Sequence, residues 1–168
     1  MQVRWLLRNR QGLRTAHNTL HCAVSANTRG APMAVSGSDD GTVKTWDPRS
    51  RGAASSMNNK FQVTAVAYGC DGTTVYSGGI DADIKGWDLR MGEVCSTFKS
   101  HTNTITGLAI NSAGTHLLSN GMDHCLRIWD IRPYPPPPLT SKPLFCFASH
   151  ALLQVHAGQP HDAGAGGR

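Results

Sequence analysis

"SGSDDGTVKTWD" occupies residues 36–47, and the chain writes nearly the same thing twice more: "SGGIDADIKGWD" at 77–88 and "SNGMDHCLRIWD" at 119–130. In each copy an Asp stands six residues before a Trp-Asp pair, and a Ser stands ten before the Trp. Three such copies in 168 residues make a repeat, and its period decides how everything else is read.

The tryptophans measure that period. Trp5, Trp46, Trp87 and Trp129 are spaced 41, 41 and 42 residues apart. This falls in the ~40–45-residue range of one four-stranded propeller blade. Trp5 is followed by Leu6 instead of Asp, so its place in the pattern rests on spacing alone. It reads as the end of a strand whose earlier part lies before the chain start.

Between the repeated segments, alternation with period two supplies the remaining strands. "VTAVAY" (63–68) alternates apolar and small residues, "GCDG" turns the chain, and "TTVYSGG" returns. Asp71-Gly72 is expected to supply the positive backbone angles of that hairpin. "ITGLAI", "NSAG" and "THLLSNG" repeat the arrangement over 105–121. "EVCSTFKS" (93–100) reads as an outer strand, and "LFCFAS" (144–149) as another. Four antiparallel strands per repeat make one blade.

Composition fits an all-β domain. Eighteen Gly, nine Pro and only 16% charged residues suit short strands joined by tight turns, and the length allows one core. The chain has no apolar run near 18 residues and no secretory signal core. Residues 1–38 lack acids and carry five arginines, as an organelle transit peptide would, but Trp5 and His17 already have places in the repeat. Five cysteines without a CxxC pair read as free thiols of a reducing compartment. His17, His21 and Cys22 cluster without a second ligand pair, so no metal and no other cofactor is expected.

These residues resemble the WD40-repeat family. The resemblance implies a β-propeller truncated to about three blades, at 16–58, 59–100 and 101–148, after a remnant of a preceding blade at 1–15. Residues 149–168 lose the repeat, turn Gly- and Ala-rich and are expected to be a disordered, atypical tail. "PYPPPPLTSKP" after Arg132 should lie extended outside the sheet. In the family a His before the first strand, a Ser, an Asp and the Trp form a buried hydrogen-bonded chain. By position this implies His17, Ser36, Asp40 and Trp46 in one blade and His101, Ser119, Asp123 and Trp129 in another. The middle blade has Asn59 at the His position, so Ser77, Asp81 and Trp87 form an incomplete set. The Gly that usually precedes the His is Ala16 and Ser100 here.

A Ser, a His and an Asp in one repeat also invite a hydrolase reading, but no oxyanion-hole or nucleophile-elbow signature accompanies them. No GxxxxGK phosphate loop is present, and an enzyme is not expected. "SGGIDADIKGWDLR" and "LLSNGMDHCLRIWDIRP" resemble the spliceosomal branch of the family. That implies a non-catalytic scaffold in the nucleus, acting in pre-mRNA splicing through spliceosomal proteins, notably the large scaffold protein of the U5 small nuclear ribonucleoprotein. No membrane and no small-molecule substrate are implied. The net charge of +5 is compatible with nearby RNA, but the basic residues are spread out, so RNA contact is expected to be indirect at most.

Another class stays open. Arg49, Arg90 and Arg132 each follow a Trp-Asp pair by two residues, and such WDxR endings resemble WD40 substrate receptors of cullin-type ubiquitin ligases. An Arg fork suits protein contacts, whereas local pairing with a neighbouring Asp is the plainer role. A generic WD40 interaction scaffold is the third reading. Three blades fall short of the typical 4–8 of a closed propeller, so an open stack with an exposed apolar blade face is expected.

Overall fold

The computed structural model describes residues 17, 21–27, 33–50, 52–132, 140–141 and 143–148. The expected remnant at 1–15, Trp5, the proline run and the tail from 149 lie outside the described residues.

Among the described residues every regular element is a strand, and the strands form three sheets stacked as blades. The first contains β1 (His21–Ala26), β2 (Ala34–Ser38), β3 (Thr42–Trp46) and β4 (Ala53–Asn58), in that spatial order. The second contains β5 (Val63–Tyr68), β6 (Thr74–Gly79), β7 (Asp83–Asp88) and β8 (Glu93–Lys99). The third contains β9 (Ile105–Ile110), β10 (His116–Gly121), β11 (Cys125–Asp130) and, at its outer edge, β13 (Phe145–Ala148). One addition was not expected. β12 (Thr140–Ser141) runs parallel to β8, with Thr140 opposite Thr97, and makes the middle sheet five-stranded. The chain therefore touches the rim of the middle blade before β13 closes the third.

Register explains the alternation in the sequence. Val75 lies opposite both Tyr68 and Trp87, and Leu117 opposite both Ile110 and Trp129. These residues share one face of their blade, because side chains alternate along a strand. That face packs on the preceding blade. One apolar cluster joins Val35, Val43 and Met57 of the first blade to Val66, Tyr68, Val75 and Trp87 of the second. The next joins Tyr76, Ile84 and Phe98 of the second to Ile105, Leu117 and Trp129 of the third. The Phe98 and Trp129 rings meet edge to face at 5.3 Å. Gly37 and Gly78 let the blades approach: a Cβ there would lie 2.5 Å from Val63 and 2.8 Å from Ile105, respectively.

The first hairpin of the middle blade departs from expectation in one detail. Gly72 takes a positive φ of 72°, but Asp71 does not share it. Asp71 instead accepts hydrogen bonds from the backbone N–H groups and hydroxyls of Thr73 and Thr74, which lower its pKa against the opposing effect of burial. The turn needs one left-handed residue, and a capping Asp supplies the rest.

Candidate functional site

Each repeated Ser, Asp and Trp lies on the second strand, the turn after it, or the third strand. In the first blade the Trp46 indole N–H donates to Ser36 Oγ at 2.9 Å, and His17 Nε2 lies 2.8 Å from that oxygen. His17 Nδ1 meets Asp40 Oδ2 at 3.0 Å. The third blade repeats this: Trp129 to Ser119 at 2.8 Å, His101 Nε2 to Ser119 at 2.7 Å, and His101 Nδ1 to Asp123 at 2.9 Å. With neutral histidine the chain runs in one direction. Indole N–H donates to serine, serine O–H to Nε2, and Nδ1–H to aspartate, so each group in the relay finds its partner.

The connectivity Ser–His–Asp is that of a nucleophilic triad, but the setting is not. Ser36 and Ser119 are fully buried and each accepts an indole N–H. A nucleophile must be reached by its substrate; these hydroxyls are enclosed.

In the third blade Asp123 accepts from more than the histidine. Arg127 Nη1 lies 2.7 Å away, and the backbone N–H groups of Thr102 and Cys125 donate at 3.2 and 3.1 Å. Although burial opposes it, these donors hold the Asp123 carboxyl far below the usual carboxylate range. Burial pushes the His101 pKa down, and Arg127 adds to this against the raising effect of Asp123.

The middle blade is built differently. Trp87 still donates to Ser77 at 2.8 Å. Asn59, buried at the His position, does not link Ser77 to Asp81. The ammonium of Lys85 stands between Asn59 Oδ1 at 2.8 Å and Asp81 Oδ2 at 2.7 Å. The Asn59 amide donates to the Phe61 carbonyl. Asp81 Oδ1 is buried with no hydrogen-bond partner among the described residues.

The cation was missed by sequence reasoning, though its signal was visible. Lys44, Lys85 and Arg127 all stand two residues before the blade tryptophan. Six residues separate Asp from Trp, so this position lies four beyond the Asp across a tight turn, within reach of its carboxylate. Both Lys85–Asp81 and Arg127–Asp123 are such pairs.

The second Asp of each repeat has another task. Asp47, Asp88 and Asp130 accept from the backbone N–H of Arg49, Arg90 and Arg132 at 2.9, 2.7 and 3.0 Å, closing the turn after the third strand. Arg132 also folds its guanidinium onto Asp130, which brings that carboxyl down to about 2. Arg49 and Arg90 are exposed, and no side-chain hydrogen bond or ion pair holds them among the described residues. The local pairing expected of all three is thus found in one.

Among the described residues no group of three His, Cys, Asp or Glu could hold a metal ion, and no helix is long and apolar enough to cross a membrane. The WD domain, G-beta repeat signature matches residues 11–47, 55–88 and 92–130. The chain belongs to the WD40-repeat family. This WD40 chain is 45% identical over 77 residues to the pre-mRNA-splicing factor cwf17 of Schizosaccharomyces pombe, covering 46% of the chain and 23% of the relative. It is 46% identical over 80 residues to the human U5 small nuclear ribonucleoprotein 40 kDa protein, covering 48% of the chain and 22% of the relative. Autophagy-related protein 16 of Arabidopsis thaliana is 28% identical over 94 residues, covering 56% of the chain and 18% of the relative. The matches to these curated relatives span less than a quarter of their length.

Proposed function

We propose that this WD40 chain acts in the nucleus as a non-catalytic scaffold of the U5 small nuclear ribonucleoprotein in pre-mRNA splicing. Its contacts in this reading are to spliceosomal proteins, notably the large scaffold protein of the particle, with RNA near but not gripped. The observation that carries the reading is the 45–46% identity to two relatives, one named a pre-mRNA-splicing factor and one a U5 small nuclear ribonucleoprotein protein, where the autophagy relative reaches only 28% over a longer stretch. The buried triads support the absence of catalysis, because their hydroxyls are spent on holding the blades. In this reading the tetrads are structural, and Arg49 and Arg90, exposed on two successive blades, are the better candidates for protein contact than Arg132.

Affinity capture of the tagged full chain from nuclear extract tests this. Recovery of U5 proteins, reduced when Arg49 and Arg90 are both changed to Glu, is the expected result. Recovery of a cullin adaptor without U5 proteins would replace the splicing role with that of a ubiquitin-ligase receptor. Recovery of neither leaves a general interaction scaffold and ends the splicing proposal.

A further inference from the structure

Two thiols of the third blade meet across its outer strand pair. Where β11 pairs with β13, Cys125 lies opposite Ala148 and Cys146 opposite Arg127. Cys125 and Arg127 are two residues apart on β11 and share a face, and Cys146, as the cross-strand neighbour of Arg127, shares it too. Cys125 and Cys146 are therefore diagonal neighbours on one face of an antiparallel pair, a spacing that side chains can span. The thiols are in contact: Cys146 is close enough to Cys125 to hydrogen-bond with it. The same face carries Trp129, which is buried in the junction with the middle blade.

Cys95 and Cys70 turn to the backbone instead, donating to the carbonyls of Gly86 and Asn111 at 3.3 and 3.5 Å. All four thiols are free. Within the facing pair the two sulfurs differ. Cys125 is half-buried and Cys146 is exposed. Burial and the neighbouring Cys146 push the Cys125 thiol up, although the charge of Arg127 opposes them. Cys125 thus stays a thiol, while Cys146 stands open to solvent.

We infer that Cys125 and Cys146 form a reversible oxidation site, closed to a disulfide by hydrogen peroxide and reopened by thiol reductants. First the Cys146 thiolate attacks one peroxide oxygen. The O–O bond breaks, the sulfur keeps a hydroxyl as sulfenic acid, and the other oxygen leaves as water with the proton that Cys146 gave up. The Cys125 sulfur then attacks the sulfenic sulfur. An S–S bond forms, the S–OH bond breaks, and the hydroxyl leaves with the Cys125 proton as a second water. Two thiols and one peroxide give one disulfide and two waters; each sulfur loses one electron and the peroxide gains both. In a reducing compartment such bonds are transient and serve sensing.

The bond acts on a defined part of the fold. In the third sheet β13 pairs with β11, and the chain between them passes through β12 on the rim of the middle blade. A Cys125–Cys146 disulfide ties the outer strand to its neighbour and closes the loop that carries β12. Oxidation therefore fixes this rim, and reduction frees it.

Peptide mapping of the folded full chain, first reduced and then titrated with hydrogen peroxide, tests the inference. The expected product lacks the mass of two hydrogens, yields linked peptides containing Cys125 and Cys146, and regains its starting mass with dithiothreitol. Cys125→Ser should halt at a Cys146 sulfenic acid that dimedone traps, and Cys70→Ser with Cys95→Ser should leave the linkage unchanged. Hydrogen exchange of the β13 amides should slow about tenfold or more in the oxidised chain. Linkage at an equal rate in guanidinium-unfolded chain overturns the inference, because the fold would then not set the pairing. So does a folded chain in which other cysteines are oxidised while Cys125 and Cys146 remain thiols.

Discussion

The third and middle blades hold the same tryptophan and serine in the same register, yet their polar interiors are wired differently. Asp123 receives a histidine, an arginine and two backbone donors, and both carboxylate oxygens are used. Asp81 receives a lysine on one oxygen, while its other oxygen is buried without a hydrogen-bond partner among the described residues. The difference follows from residue 59. An asparagine reaches Lys85 but cannot bridge serine to aspartate as an imidazole does. An unpaired buried acceptor is costly, so the middle blade should rely more on its apolar packing, with Ile84 and Phe98 fully buried on one face and Val75 on the other.

The largest expected consequence is at the aspartates. Asp123→Ala removes the acid that His101 and Arg127 share and should destabilise by about 3–5 kcal/mol, as breaking a buried pair does. Asp81→Ala removes one lysine contact together with an orphaned oxygen, and should cost about 1–2 kcal/mol, nearer the value of an ordinary hydrogen bond to a charge. Equal losses in chemical denaturation would show the two networks to be energetically alike.

Titration gives the next contrast. The pKa of His101 is lowered on folding, chiefly by burial. The unfolded chain therefore binds a proton that the folded chain resists. Stability from this group is complete above the unfolded value near 6.5 and is lost as pH falls below it. One site contributes a slope of at most about 1.4 kcal/mol per pH unit. Urea midpoints between pH 7 and 5 should fall, and His101→Asn should flatten the decline by making the third blade resemble the middle one. An unchanged slope would mean that His101 is not the titrating group.

Converting the middle blade toward the third should be favourable. Asn59→His is expected to stabilise by about 0.5–1.5 kcal/mol, the net worth of an internal hydrogen bond. Arg127 and His101 share Asp123, so a cation at Lys85 does not forbid the imidazole. The gain should vanish in an Asp81→Asn background, since coupled sites do not add. A gain independent of Asp81 would place residue 59 outside the network.

The smallest effect concerns the turn after the second strand. Gly41, Ala82 and His124 hold the same repeat position with φ of 76°, 59° and 58°. That left-handed conformation disfavours any residue with a Cβ. Ala82→Gly should raise stability by about 0.5 kcal/mol. A loss at that position would indicate that unfolded-chain entropy outweighs the local strain.

Much of this architecture was legible before any coordinates. A recurring Trp-Asp at fixed spacing names the third strand of each blade, and period-two alternation places its neighbours, because both patterns arise from local chain geometry. Ser36, Asp40 and Trp46 could be grouped with His17 through the resemblance to the WD40 family, carried over by position in the repeat. Lys85 could not be placed at Asn59 in this way. The sequence marks a cation two residues before Trp46, Trp87 and Trp129, but which carboxylate and amide it meets depends on how the turn after β6 folds against the loop before β5. β12 was equally hidden, since two residues pairing with a strand more than forty positions earlier leave no periodicity. By itself the sequence determined the repeat and its strands, properties of one blade repeated, and the resemblance to the WD40 family implied the polar quartets of the first and third blades. Only the tertiary structure decided which face of each blade is covered, because burial depends on the neighbouring blade: Phe98 and Phe147 hold equivalent positions, and among the described residues just Phe98 has a blade packed against it.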